Sequence, residues 1–503
     1  MPSRAATGRQ RSSLQSRSAW SCCRQCRFTD TLGTPPRPSG STSGPDALGC
    51  FNVARTGHAP TATPTQLHPD CPIGGQRLSS SCDLVLDPVT TTGVLSAKLW
   101  IRRGSSADPL GQRGGHQLLG SVLSRGCGPV DHLQLADLVE GCGAGLRCDT
   151  HEDGIMISLK CRDIDADRLL PALGWMLRQP HLDESQIELE RDLSLQALQR
   201  QREDPFHRAF DGWRQLAYGK GPYGHDPLGI GIDLEQLQKA QLTSLASDLE
   251  SRGSVLALSG TIPDQAQAQL VDWLGTSKNE SSSSEAGSAI RASLESDRGE
   301  RPSLGLQSLA TEQVVLMLGQ AALPHGHPDD LALRLLQAHL GSGMSSLLFR
   351  RLREEHGVAY DVGVHHPARA GAAPFVMHAS TGVDRAELSL ELLLKSWVEL
   401  METNISEVDL KLAKAKFKGQ LAHGSQTTGQ RAERRAQLRG LNLPDDHDQS
   451  CLNQLDQLRA SDLRDAAGRH LQSPQLSLCG PAETLASLEK KWSLSAFSEG
   501  NAR

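Results

Sequence analysis

Residues 83–275 and 304–493 run through the same order of elements, and this repetition limits the fold more than any other feature. In the first stretch, 93–101 alternates as a half-buried strand. Helical spacing follows over 113–125, 131–141, 165–178, 183–202 and 233–249, broken by a strand near 154–160 and ended by a short buried strand over 255–260. In the second stretch a strand over 313–318 leads to helices over 328–340 and 345–355, strands near 359–366 and 374–381, and helices over 384–401 and 405–420. Leu182-Asp183-Glu184-Ser185-Gln186-Ile187 opens a long charged helix, and Ile405-Ser406-Glu407-Val408-Asp409-Leu410 opens its counterpart. A period of roughly 220 residues is far beyond that of solenoid repeats, so each copy is a whole domain. The expected fold class is α+β: two homologous domains, each a mixed β-sheet with helices on one face.

The rest of the chain lies outside this repeat. Residues 1–82 are rich in Ser, Arg, Pro, Gly and Thr, poor in acidic groups and without periodicity. They read as a disordered tail or a targeting segment, or as the result of an upstream start codon chosen in error. The polar, Ser-rich stretch 276–303 reads as a flexible linker, and 494–503 as a short tail. Six of the twelve cysteines precede Asp83 and the others are scattered, which is no disulfide framework. That pattern suits a reducing compartment, so the expected location is the cytoplasm, or an organelle if 1–82 is a transit peptide. Cys23 and Cys26 have no second pair at zinc-ligand spacing and read as chance cysteines. A net charge of -6 argues against a nucleic-acid partner, and no apolar run is long enough for a membrane span.

Chemistry is concentrated in two places. The first is Gly104-Ser105-Ser106-Ala107-Asp108, followed by Gly114-Gly115-His116-Gln117-Leu118-Leu119-Gly120. It resembles the N-terminal signature of the pitrilysin/insulinase peptidases, the inverzincins, whose helix carries H-x-x-E-H. In that motif the two histidines bind zinc, the glutamate activates water, and a distal glutamate completes the metal site. This chain keeps the frame and loses the ligands. His116 matches the first histidine, but Leu119 stands at the general-base position and Gly120 at the second histidine. With Asp204-Pro205 aligned to the family's helix end, Ala197 stands at the distal glutamate. His116 therefore reads as a surviving histidine, since a lone imidazole cannot hold a catalytic zinc. His132, Asp149, His151, Glu152 and Glu190 form no ligand pair on an expected helix. Cys148-Asp149-Thr150-His151-Glu152-Asp153 reads as a polar loop, and His325-Gly326-His327, between Pro324 and Pro328, as a solvated turn. Gly221-Pro222-Tyr223-Gly224-His225 looks like a further loop of the same family.

The second place is intact. Gly341-Ser342-Gly343-Met344-Ser345-Ser346 precedes a helix bearing Arg353, with Tyr360 seven residues on. The stretch is similar to the family's C-terminal signature, in which a Gly-rich loop and an Arg/Tyr pair face the substrate. A guanidinium can grip a carbonyl or carboxylate, and a phenol can donate to a developing oxyanion. The family often has a basic residue where Leu347 stands.

The resemblance implies a zinc-free subunit, like the mitochondrial processing peptidase α subunit and bacterial two-subunit members. Such a chain carries no catalytic residue and no metal. It supplies Arg353, Tyr360, Gly341, Ser342 and Gly343 to bind a peptide, while a homologous H-x-x-E-H partner brings the zinc. Two rivals stand beside this reading: a non-enzymatic scaffold of the same fold, and an active peptidase with unconventional metal ligands.

Overall fold

A computed structural model describes residues 74–77, 81–89, 93–265, 270 and 302–498. The expected linker lies almost wholly outside these residues, as does most of the expected tail. The described residues all fall within one compact unit.

The first half contains β1 (Gly74–Arg77), β2 (Cys82–Pro88), β3 (Val94–Ile101), α1 (Gly115–Leu123), β4 (Gly126–Cys127), β5 (Val130–Asp131) and α2 (His132–Glu140). After these come β6 (Gly145–Thr150), β7 (Ile155–Arg162), α3 (Ala166–Leu169), α4 (Pro171–Arg178), α5 (Glu184–Glu203), α6 (Pro205–Tyr218), α7 (Gly231–Gln236), α8 (Lys239–Ser247) and β8 (Ser254–Gly260). In the second half lie β9 (Ser303–Ser308), β10 (Gln313–Ala321), α9 (Asp330–Gly341), a π-helix over Phe349–Glu355, β11 (Ala359–His365) and β12 (Pro374–Gly382). Then follow α10 (Ala386–Glu402), α11 (Glu407–His423), α12 (Thr428–Gly440), α13 (His447–Leu455), α14 (Ala460–His470), β13 (Gln475–Gly480) and α15 (Ala482–Ser493).

The two large sheets have matching strand orders. The first runs β1-β2-β8-β3-β7-β6, and the second, read from β9, runs β9-β13-β10-β12-β11. In each, one parallel pair (β2 with β8, β9 with β13) joins otherwise antiparallel strands, so both sheets are mixed. The fold therefore begins before the expected boundary at 82, because Gly74–Arg77 pairs with β2 as an edge strand.

The expectation of helices on one face needs correction, because each half lends a helix to the other's sheet. Helix α6 packs on β9, β10 and β13, while α12 packs on β2, β3 and β8. This explains why β3, expected to be half-buried, is buried along nearly its whole length. Leu95, Ala97, Leu99 and Ile101 enter the first core, and the alternate residues face α12. On that second face Ser96 Oγ lies 2.9 Å from Thr428 Oγ1, Lys98 Nζ lies 2.9 Å from Glu433 Oε2, and Trp100 packs against Ala432 and Ala436. Arg431 grips the buried Asp87 through both carboxylate oxygens at 2.6 and 2.7 Å.

Local sequence sets the helix ends. Asp204 closes α5, accepts the Phe206 N–H at 2.9 Å and places Pro205 at the first position of α6, where a missing N–H is harmless. Thr427 and Gln430 form a capping box at α12.

Candidate functional site

Helix α1 carries the degenerate motif. His116 is buried, its Nδ1 2.6 Å from Asp108 Oδ1, and its backbone N–H donates to the same oxygen at 3.0 Å. Asp108 Oδ2 accepts from Gly114 N–H at 2.7 Å and lies 3.2 Å from His225 Nε2. Burial pushes the Asp108 carboxyl up, but the bonds from His116 and His225 outweigh it and hold it below the ordinary carboxylate range. His116 is thus part of a buried Asp–His–His cluster that anchors the start of α1. His225 joins it from a loop more than a hundred residues away, a contact with no local signal in the sequence.

The other motif positions do not fit a zinc ion. Leu119 is fully buried in the first core. At Gly120 an added Cβ would stand 2.4 Å from Thr150 Oγ1 and 3.6 Å from Cys148 Sγ, so β6 already fills the place of the second imidazole. Thr150 in turn donates to the His116 carbonyl at 3.3 Å. Ala197, on α5, offers only a half-buried methyl. Glu190, one of the alternative ligands weighed above, is taken by Arg125 Nε at 2.7 Å. Among the described residues, no three His, Cys, Asp or Glu side chains around α1 bring ligand atoms close enough to share an ion.

Cys148-Asp149-Thr150 is not the expected polar loop: it belongs to β6, which forms the outer edge of the first sheet. His151, Glu152 and Asp153 follow in a turn locked against the second half. Glu152 pairs with Arg369 at 2.5 Å, Asp153 Oδ1 accepts from the Tyr223 hydroxyl at 2.6 Å, and Asp153 Oδ2 accepts from Ala370 N–H at 2.9 Å. Burial raises the Glu152 carboxyl, but Arg369 and Arg214 overrule it and bring it down to about 2. The Tyr223 oxygen also accepts from Gly371 N–H at 2.9 Å, which gives the Gly221–Gly224 loop a structural role in joining the halves.

In the second half, α9 ends at Gly341, where a Cβ would meet the Val364 backbone nitrogen at 2.6 Å; only glycine lets the helix end approach β11 this closely. Gly343 has φ +76, the left-handed conformation that glycine adopts freely. Ser342 Oγ between them accepts from Gln420 Nε2 of α11 at 3.0 Å, and Leu347 packs against the core. The expected helix over 345–355 is mostly a π-helix, a rare form found often at functional sites. Arg353 projects from it, exposed, 5.0 Å over the Phe349 ring and donating from Nη1 to the Tyr360 carbonyl at 3.2 Å. Tyr360 sits at a β-bulge, where the ladder steps from Ala359–Thr381 to Asp361–Ser380. The extra residue frees its side chain, which is 53% exposed on an edge strand. The structure thus brings Arg353 and Tyr360 together at the surface.

His325-Gly326-His327 is also not a simple solvated turn. His325 is buried with its Nδ1 2.7 Å from Asp330 Oδ2, and burial pulls its imidazole down to about 4.

Two related sheet-and-helix domains, the first bearing a helix with a dismantled H-x-x-E-H frame, define a peptidase-like architecture. Residues 85–228 match the family model described as insulinase (peptidase family M16), and 251–417 match the one described as the peptidase M16 inactive domain. The chain belongs to the M16 insulinase/pitrilysin family of peptidases. Relatives include "Uncharacterized zinc protease YmxG" of Bacillus subtilis, 22% identical over 70% of this chain and 84% of its own length. Another is "Non-peptidase homolog YmxG" of Helicobacter pylori, 23% identical over 75% of this chain and 87% of its own. Among solved structures, the M16 inactive domain from Pseudomonas fluorescens superposes with a TM-score of 0.72 at 19% identity, covering 82% of this chain and 98% of that one. A protease from Helicobacter pylori gives 0.74 at 18% identity, covering 81% and 99%. These likenesses establish the fold. The chain is a peptidase-like member of this family, and no described helix is long and apolar enough to cross a membrane.

Proposed function

We propose that this chain is the non-catalytic, peptide-binding subunit of a two-subunit peptidase whose zinc and general base reside on a homologous H-x-x-E-H partner. The observation that carries the reading is a contrast within one molecule. At the metal position Thr150 packs into the space of the missing imidazole, whereas Arg353 is exposed and held to the Tyr360 carbonyl, with the Tyr360 side chain exposed beside it. Exposed, oriented polar groups beside a Gly-rich loop suit recognition of a peptide backbone or carboxylate. The β6 edge is free of a further strand among the described residues, which suits an extended peptide adding to the sheet.

Co-expression with an H-x-x-E-H homologue tests this directly. The complex should cleave unfolded peptides faster than the partner alone. Arg353→Ala and Tyr360→Phe should cut that gain by about tenfold or more while leaving assembly intact. A partner fully active alone, or one that never binds this chain, sinks the proposal. Assembly that persists with both substitutions silent favours the scaffold reading instead.

A further inference from the structure

His325 is buried, whereas His327 is half-buried and meets residues that sequence proximity does not foretell. Asp329, just before α9, donates its backbone N–H to His327 Nδ1 at 3.1 Å. The end of α14 arrives from some 140 residues away: His470 Nε2 lies 2.8 Å from Asp329 Oδ2, while Arg469 reaches Oδ1 at 2.9 Å and Oδ2 at 3.2 Å. The His327 and His470 rings meet edge to face, centroids 5.5 Å apart. One ligand atom from each of His327, Asp329 and His470 falls within 4.8 Å of the others, and all three residues are half-buried. Among the described residues no other three such side chains come so close.

We propose that His327, Asp329 and His470 form a structural binding site for zinc or a similar first-row divalent cation, with water as a fourth ligand. Two imidazoles and one carboxylate are the donor set such ions prefer. The ion would take the place of the proton shared between His470 Nε2 and Asp329 Oδ2, and would draw its third ligand from a ring nitrogen of His327. Arg469 need not leave: holding Oδ1 while the ion uses Oδ2, it would orient the carboxylate as an outer partner does in many metal sites. Its side chain is 54% exposed, so it can also turn to solvent. The ion would tie the start of α9 to the end of α14. At 1.5 Å per residue, the 12-residue α9 puts it about 18 Å along the helix from the Gly-rich loop, too far to serve the peptide site. Zinc in the purified chain would then be no sign of a working peptidase motif.

The test uses the full-length chain, stripped with a chelator and titrated with Zn2+ and with Co2+. One equivalent should bind and raise the melting temperature. Affinity should fall by at least about 100-fold in His327→Ala and in His470→Ala, and be unchanged in His116→Ala. His470→Gln guards against a folding defect: its metal-free melting temperature should match the parent while zinc no longer raises it. Bound Co2+ should show visible ligand-field bands without a near-ultraviolet sulfur-to-cobalt band. No binding, equal binding in both alanine variants, or a sulfur-to-cobalt band pointing to cysteines would each overturn the proposal.

Discussion

Gly120 offers the sharpest test of whether the metal site is closed or merely missing its ligands. Replacing a helical glycine by alanine ordinarily stabilises a helix by about 0.5–1 kcal/mol, because glycine has more backbone freedom to lose. Gly419 in α11 should show this gain, since an added Cβ there meets nothing within 4 Å. At Gly120 the same methyl would stand 2.4 Å from Thr150 Oγ1, on a β-branched side chain of an ordered strand with little room to yield. Overpacking of this kind costs about 1–3 kcal/mol, which cancels or reverses the helical gain. Chemical denaturation should therefore rank Gly419→Ala above the parent and Gly120→Ala at or below it, with a gap of about 1–3 kcal/mol between the two. Thr150→Gly should remove the obstacle, so the double variant should show a favourable coupling of about 1 kcal/mol or more. If Gly120→Ala is as stabilising as Gly419→Ala, or if the cycle shows no coupling, β6 does not fill the second ligand position. The barrier to rebuilding H-x-x-E-H would then be chemical alone.

Three further outcomes follow from the contacts between and within the halves. Arg431→Ala should cost about 3 kcal/mol in urea unfolding, because it strands Asp87, a carboxylate only 5% exposed, with Ser259 at 2.9 Å as its remaining side-chain donor among the described residues. Tyr223→Phe should cost about 1–3 kcal/mol, since it removes the hydroxyl shared by Asp153 and the Gly371 N–H; an unchanged unfolding midpoint would refute that lock. Stability should fall as pH drops from about 6.5 toward 4. Burial lowers the imidazoles of His325 and His339 to about 4, so in that window the unfolded chain binds more protons than the folded one. His325→Gln should flatten the slope measured by denaturation at pH 7 and pH 5.

Much of the architecture is legible in the sequence. The paired helix openings at Glu184 and Glu407 sit at equivalent places in two halves whose sheets have matching strand orders. Less legible were α6 and α12, for which periodicity raised no expectation. Helix α12 buries mainly Thr428, Ala432, Ala436, Leu438 and Gly440, a face too small and too interrupted by arginine to stand out as a core stripe. Cys148–Thr150 looked like a loop because its polar residues face solvent or a neighbouring helix at a sheet edge, where strand composition is weakest. His327 and His470 meet only because α9 and α14 pack side by side.

By itself the sequence determined the family and the two-domain repeat, because these are properties of local patterning and of residue identity at spaced positions. Tertiary structure alone decided that each sheet is roofed by the other half's helix, that Thr150 packs against Gly120, and that Arg353 reaches the Tyr360 carbonyl at an open edge. Those outcomes depend on which distant surfaces come within van der Waals or hydrogen-bond reach, and such distances are set only when the two halves pack together.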